Sequence, residues 1–295
     1  MAQTRELRRR IKSVENTRQI TKTMEMVATS KLKRAQDRVV AARPYAEALA
    51  GVLGDLYSPE RAERFPLLRQ PRGAAARVAL VSVTSNRGLC GGFNANLLRE
   101  TRGRLAEWED AGAQVELHQI GKKGIGFFRF TGRAMATQRG DISDRPTPEQ
   151  AVELVDPLMA RFAAGELDAV EVVFARYVSP LSTPPTRLTV LPVRPPAGRR
   201  ADGAAPRTLP NYILRPSAEQ ILETILPLYV HNQIFRALVE SAASEQGARR
   251  TAMKSATDNA GEMIDTLRRT YNRARQAQIT QEIAEIVGGA EAQRG

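Results

Sequence analysis

A chain of 295 residues with 42% hydrophobic content is long enough for one or two domains with a real core, and its single cysteine, Cys90, excludes an internal disulfide. Aromatic residues make up only 5%, which with abundant Ala and Arg fits closely approaching helices better than a thick β-sandwich. The net charge of +12 favours acidic partners without identifying them, and the absence of any run of about 18 apolar residues excludes a membrane-crossing helix. The N-terminus lacks the apolar stretch of a secretory signal, so an intracellular protein is expected.

From about Thr4 to Tyr57 the chain is helix-like. Leu7, Ile11 and Val14 begin an apolar stripe that Leu32, Ala35, Val39, Ala42, Ala46, Leu49, Leu53 and Leu56 continue at spacings of three and four. The stripe breaks in the middle, where Arg18, Thr21 and Glu25 hold the positions that a heptad wants apolar, while Ile20, Met24 and Val27 form an offset face. Either the helix rotates its buried side there, or it touches a third body around Met24. Pro44 is expected to kink or interrupt the helix, and Ser58-Pro59 to end it. Arg5, Arg8, Arg9, Arg10 and Lys12 open a basic run that admits a coiled-coil nucleic-acid binder as an alternative. That reading is weakened by the lack of any Phe, Tyr or Trp before Tyr45 to stack on bases, and by Glu6, Glu15, Glu25 and Asp37 within the run.

After Pro71-Arg72-Gly73 the character changes to that of a small α/β domain, assigned to residues 70–210. Strands are predicted at Arg77–Val83, Val115–Ile120, Ala169–Val178 and Arg187–Val193, and helices at Leu97–Trp108, after Gly121 and at Pro148–Phe162. This alternation predicts a parallel, Rossmann-like sheet. The turn Gly88-Leu89-Cys90-Gly91-Gly92 sits where a phosphate cradle would, but neither G-x-G-x-x-G nor G-x-x-x-x-G-K-[ST] occurs, so its glycines are read as serving backbone conformation. His118 and His231 are the only histidines and lie in separate segments, which argues against a zinc or redox site. Nothing in spacing pairs His118 with a Ser or Cys nucleophile, and Cys90 reads as a small packed residue. No cofactor, metal or catalytic residue is expected.

Pro195 to Pro210 is a connector, and Asn211 to Pro216 leads into a last helix predicted from Ser217 to about Val287. Ser217 with Gln220 has the form of a capping box, and Gly288-Gly289 marks the expected stop. The apolar residues of this helix run through Ile221, Ile225, Leu228, Ile234, Leu238, Met263, Leu267, Tyr271, Ile279, Ile283 and Ile286. At 1.5 Å per residue it would span roughly 100 Å, more than one core can bury, so something must pack against it. The first helix supplies that partner. The expected fold is therefore an α/β protein with long helices: an antiparallel coiled coil of N-terminal (1–58) and C-terminal (211–295) helices, with the Rossmann-like domain inserted between them. Small residues from Ala242 to Gly261 mark the expected closest approach of the two helices, Pro227 an expected bend, and Ile279 to Val287 an apolar tip that projects past the first helix and demands another protein.

Three segments in this order resemble the gamma subunit of F-type ATP synthases. They are Gln19-Ile20-Thr21-Lys22-Thr23-Met24-Glu25-Met26-Val27, Arg87-Gly88-Leu89-Cys90-Gly91-Gly92-Phe93-Asn94 and the closing run Ile279 to Ala290. Asn86 departs from the family's usual Asp, and Arg215 from a Glu that commonly precedes the matching Pro216. The resemblance implies a non-catalytic central shaft that couples rotation of the membrane c-ring to ATP synthesis or hydrolysis in a ring of alpha and beta subunits. Its implied partners are those subunits, the epsilon subunit and the c-ring, with no nucleic acid. It further implies that Met24, Arg275, Gln276, Thr280 and Glu282 meet the beta subunit, that Ile279, Ile283 and Ile286 face an apolar collar, and that Tyr212 and Arg215 lie near the c-ring. Without a second cysteine for a thiol switch or a transit peptide, the resemblance fits a bacterial protein at the cytoplasmic face of the cell membrane.

Overall fold

A computed structural model of the chain describes residues 2–57, 63–70, 76–142, 144–194 and 217–292. The elements in order are α1 (Ala2–Leu56), β1 (Arg77–Val83), α2 (Phe93–Asp110), β2 (Gln114–Ile120), α3 (Lys122–Phe130), β3 (Thr137–Arg139), α4 (Pro148–Ala163), β4 (Ala169–Ala175), β5 (Pro185–Leu191) and α5 (Ala218–Ala292). They divide into two compact units, one of Ser30–Ala248 and one of Met1–Thr29 with Arg249–Gly295.

The larger unit is built on a five-stranded sheet of order β3-β2-β1-β4-β5. Strands β1, β2, β3 and β4 run parallel, but β5 is antiparallel to β4, which corrects the expectation of an all-parallel sheet. Residues 176–184 between β4 and β5 hold Pro180 and Pro184 and no helix, and a parallel return needs a crossover of a dozen or more residues. Strand β3 was not predicted. Its Thr137-Gln138-Arg139 has no apolar residue and is held at the edge by pairing with β2 alone.

Alternation along the strands sorts two cores. Ala79, Val81, Val83, Val170, Val172 and Phe174 face α4 together with Leu49, Leu53 and Leu56 of α1 and Leu222, Leu226 and Val230 of α5. Leu80, Leu117, Val173 and Ala175 face the other way, against Phe93, Leu97 and Leu105 of α2 and Phe128 of α3. Within this unit α1 also meets α5 directly through Ala35, Val39, Val239 and Ala243. Helix α1 passes Pro44 without interruption, so of the kink or break expected there the break does not occur. A proline inside a helix costs about 3 kcal/mol, and several buried leucines in the following turns, each worth about 2 kcal/mol, exceed that. Helix α5 likewise runs through Pro227, and at its start one half of the expected capping box forms, with Gln220 N donating to Ser217 Oγ at 3.2 Å.

The apolar second face of the sheet carries one buried charge, Glu171 of β4, only 4% exposed. It lies where the β4–β5 register slips between Val170 and Glu171. Arg104 of α2 grips it in a fork, Nε to Oε2 and Nη2 to Oε1 both at 2.7 Å, while Trp108 Nε1 donates to Oε2 at 3.0 Å. Burial pushes this carboxyl upward, but the Arg104 and Trp108 hydrogen bonds and the Arg104 charge outweigh it and leave it below its ordinary value of 4.5. At Asp144 burial also acts upward and is outweighed by Lys31, whose Nζ lies 2.6 Å from Oδ2. A carboxylate depressed in the folded state stabilises the fold above its unfolded pKa, and that contribution is lost as pH falls through the folded value. The urea midpoint of the chain is therefore expected to drop between about pH 5 and pH 3. Glu171→Gln should flatten that slope; an unchanged slope in the variant would remove Glu171 from the account.

The smaller unit is an antiparallel helical pair. Thr4 Oγ1 donates to Gln278 Oε1 at 3.1 Å, Arg268 Nη2 to Glu15 Oε1 at 2.7 Å and Thr257 Oγ1 to Thr21 Oγ1 at 2.8 Å, so residue numbers rise on one helix as they fall on the other. Met253, Thr257, Ala260 and Ile264 are buried on α5 and continue at heptad spacing to half-buried Leu267, Tyr271, Ala274 and Gln278. Ile264 takes the seam position, and Met263, predicted for the stripe, is exposed.

Candidate functional site

The break in the α1 stripe does not rotate the helix. Thr21 stays on the seam, buried, and Thr257 meets it there; each hydroxyl can also use its own helix, Thr21 toward Arg18 O and Thr257 toward Met253 O. Two threonines thus replace an apolar layer with a satisfied polar one. The consequence is that the offset face is left over: Ile20 and Val27 are exposed and Met24 between them is half-buried, while Met26 is exposed on another side of the helix. Apolar side chains left exposed together on one helix face make a surface that water does not favour.

The tip is the second such surface. Beyond the Thr4–Gln278 bond, α5 continues to Ala292, running through Gly288 and Gly289 where a stop was expected. Neither glycine adopts a positive φ, so they permit a turn without imposing one. At 100° per residue, the seam residues Tyr271, Ala274 and Gln278 and the apolar Ile279, Ile283 and Ile286 centre roughly 110° apart. Positions 281 and 285, which carry the seam onward, are instead Gln281 and Glu285, bonded to each other at 2.9 Å. The apolar stripe of the tip therefore turns away from the coil seam, and all three isoleucines are exposed, Ile286 to 72%.

Arg275, Gln276, Thr280 and Glu282 are exposed on the same turns. Thr280 Oγ1 bonds back to Gln276 O at 3.0 Å and Glu282 accepts from Gln278 Nε2 at 2.8 Å, so the segment is ordered by its own i to i+4 contacts. The structure gathers these residues with the isoleucines but does not bring Met24 to them. By the Thr21–Thr257 register, Met24 lies near residue 254 of α5, about 30 Å along the pair from Arg275. Tyr212 and Arg215 lie outside the described residues.

The α/β unit was the other candidate. In open α/β sheets a ligand sits beyond the carboxyl ends of the strands where strand order reverses, here between β1 and β4. Helix α5 occupies the end of β4. Ala175 N donates to Ser241 Oγ at 3.1 Å, and Ser244 Oγ donates to Ala175 O at 3.0 Å, both serines being buried. Gly247 lies so close to Pro180 of the β4–β5 loop that a Cβ would come 3.3 Å from its carbonyl oxygen, so the small residues of this stretch serve contact with the sheet domain as well as with a helix. The Gly-rich turn uses positive φ at Leu89 and Gly91, and Gly92 begins α2. Cys90 is buried, accepting from Asn94 Nδ2 at 3.2 Å. His118 is buried on β2 with Nδ1 3.0 Å from Thr137 Oγ1; burial, with the Arg161 charge, outweighs Glu116 and holds its pKa below 6.5. His231 pairs with Asp156 at 2.6 Å. Among the described residues no group of His, Cys, Asp and Glu could hold a metal ion, and no helix is long and apolar enough to cross a membrane. The departure at Asn86 has a visible use: its Nδ2 donates to Ile142 O at 2.7 Å, which an aspartate could not do, while its Oδ1 accepts from Lys122 N at the start of α3.

A sheet unit flanked by two terminal helices that pair antiparallel is the fold of solved central-stalk chains. The chain matches, over 94% of its length and 99% of the other's, a chain of the Euglena gracilis mitochondrial ATP synthase rotor at 19% identity and a TM-score of 0.67. It matches one of the Tetrahymena thermophila mitochondrial central stalk and c-ring structure at 24% identity and 0.60, over 80% of this chain and 99% of that one. The ATP synthase family model matches residues 3–293. The ATP synthase gamma chain of Gemmatimonas aurantiaca is 61% identical over the full length of both chains, and that of Leptospira biflexa 44% over 99% of both. The chain belongs to the ATP synthase gamma chain family.

Proposed function

We propose that this chain is the central rotor shaft of an ATP synthase, held at the cytoplasmic face of a bacterial membrane through the complex. Its helical pair turns inside a ring of three alpha and three beta subunits, and its α/β unit meets the epsilon subunit and the c-ring, with Tyr212 and Arg215 near that ring. Ion flow turns the c-ring and the shaft with it. A single chain inside a pseudo-threefold ring presents a different face to each beta subunit, so each step of rotation gives the three sites different contact free energies and shifts their conformations apart. The nucleotide chemistry belongs to the ring.

The observation that carries this reading is the stripe of Ile279, Ile283 and Ile286, exposed and turned off the coil seam. An apolar collar would cover it through non-directional contacts, which allow turning where fixed ion pairs would hold one angle. Arg275, Gln276, Thr280 and Glu282 supply the polar contacts to a beta subunit at one level. Met24, between exposed Ile20 and Val27, supplies an apolar contact at another. Two levels on one rod give the ring two points from which to read its angle.

Met24→Lys and Arg275→Ala change exposed or half-exposed positions and should leave the chain folded and assembled. In membrane vesicles each is expected to lower the ion gradient formed per ATP hydrolysed several-fold. Normal ion-coupled synthesis in both would remove the assigned contacts.

A further inference from the structure

His118 of β2 lies on the α4 face of the sheet, as Val81 and Ile120 do, and is 6% exposed. Its register partners are Val81 on β1 and Thr137 on β3, whose Oγ1 lies 3.0 Å from Nδ1. Its Nε2 is buried without a hydrogen-bond partner. Glu116 Oε2 stands 3.8 Å from Nε2, beyond bonding distance, and both Glu116 oxygens already accept from Arg161 of α4, at 2.7 and 2.8 Å. Arg161 also reaches Glu166, while Arg139 of β3 is held by Asp141 and by Glu153 of α4. A neutral ring fits these neighbours, with its hydrogen on Nε2 toward Glu116 and Nδ1 accepting from the Thr137 hydroxyl. An imidazolium would lie buried with its nearest carboxylate taken. The strand next to it is the shortest of the sheet, three residues with no apolar side chain, paired with β2 alone. Ala136 N to Leu117 O and Gly121 N to Arg139 O, both at 2.8 Å, close the two ends of that seam.

We propose that His118 is a proton-sensitive catch on the β3 edge of the sheet: when it takes up a proton, β3 opens from β2. The proton comes from solvent and enters at Nδ1, the Thr137 hydroxyl turns from donor to acceptor, and the ring is left with a positive charge inside the layer. A buried charge must be paired or hydrated. Arg161 holds the carboxylate that could pair it, so water reaches the ring through the side that is least strongly closed, the short edge strand. Burial is the main cause that holds the closed-state pKa of His118 below 6.5, with Glu116 opposing it and Arg161 adding to it. In the open state the ring meets water and returns to about 6.5. The advantage of the closed edge is therefore complete above pH 6.5 and is lost as pH falls below it, toward the closed-state value. The proposal is independent of the rotor reading and concerns residues that reading does not use.

The test is amide hydrogen exchange on the purified full-length chain at pH 7.5, 6.5 and 5.5, read as protection factors so that the intrinsic pH dependence of exchange is removed. The Ala136 and Gly121 amides report the seam. Their protection is expected to fall several-fold between pH 6.5 and 5.5, and by no more than the roughly tenfold per pH unit that one proton allows. His118→Phe keeps a ring in the layer and removes the proton site, so its protection at these amides should not change with pH. His118→Gln, which cannot titrate either, carries the same expectation and keeps the test in force if the phenylalanine variant does not fold. Exchange at the two amides should also be insensitive to low urea, because a local opening exposes little surface. A pH slope in both variants equal to that of the unmodified chain, or exchange that rises with urea as steeply as at the most protected amides, would overturn the catch. So would an imidazole titration of folded His118, followed by NMR, with its midpoint at or above pH 6.5.

Discussion

Replacing Arg104 by alanine is expected to destabilise the chain by about 3–5 kcal/mol, because it strands the Glu171 carboxylate inside an apolar layer. The fork between these residues is the only place among the described strands where an ionised side chain is buried on the sheet. Arg104 also lies over the Trp108 ring at 4.3 Å and reaches Glu107 at 2.8 Å, so its removal loosens the α2 face as a whole. The double change Arg104→Met with Glu171→Leu should recover most of the loss, since two apolar groups leave no charge to solvate. Urea unfolding of the single and double variants measures both. A single variant within about 1 kcal/mol of wild type would show the pair to be hydrated and the packing argument wrong.

Gly121→Ala should be comparably damaging, at about 4 kcal/mol, the sum of a strained backbone and a forced overlap. Gly121 has φ +94°, and a Cβ there would sit 2.1 Å from the backbone oxygen of Thr84. Backbone strain of this kind costs about 1–3 kcal/mol. Forced overpacking against main chain adds about 1–3 more. The position matters because Gly121 N also donates to Arg139 O at 2.8 Å, tying the turn to the edge strand β3. Gly126→Ala, inside the short helix α3 that follows, with nothing within 4 Å of a new Cβ, is the control. It should be stabilising by about 0.5–1 kcal/mol, because the helix interior favours alanine. Equal effects at the two glycines would contradict the geometry at Gly121.

The long elements were legible because their periods are long. Heptad spacing on α1 marks the seam from Leu32 to Leu56, and each of those stripe residues except half-buried Ala42 is buried. Strands β1 and β4 were legible as apolar runs, since both of their faces are covered, and β2 by Val115 and Leu117 alternating with polar neighbours. What was not legible depended on partners distant in sequence. Thr137-Gln138-Arg139 has no strand signal of its own, and β5 has the residues of a strand but nothing in them to declare its direction. Met263 and Ile264 are equally apolar neighbours, and only the register set by Thr21 and Thr257 decides which one is buried.

The candidate site was partly legible in the same sense. Apolar residues at 279, 283 and 286 announce a face, and counting 100° per residue from Gln278 already turns that face off the seam. The offset of Ile20 and Val27 was visible too, but whether the helix rotated to bury them was not. That outcome rests on Thr257, more than two hundred residues away, supplying the hydroxyl that keeps Thr21 inside. The role of Ser241 and Ser244 was hidden as well. Two serines on a helix carry no signal of a partner, and only the end of β4 shows that they close the place where a Rossmann-like sheet would take a ligand.

The central claim is that this chain transmits rotation between a membrane ring and a catalytic ring. Its most direct test is to isolate the complex through a tagged beta subunit from cells whose gamma chain is this one, reconstitute it in vesicles and add ATP. The account predicts that the chain copurifies with the beta subunit and that hydrolysis builds an ion gradient, which disappears when this chain is left out of the assembly. Hydrolysis that builds the same gradient without the chain, or a chain that fails to copurify, would contradict it.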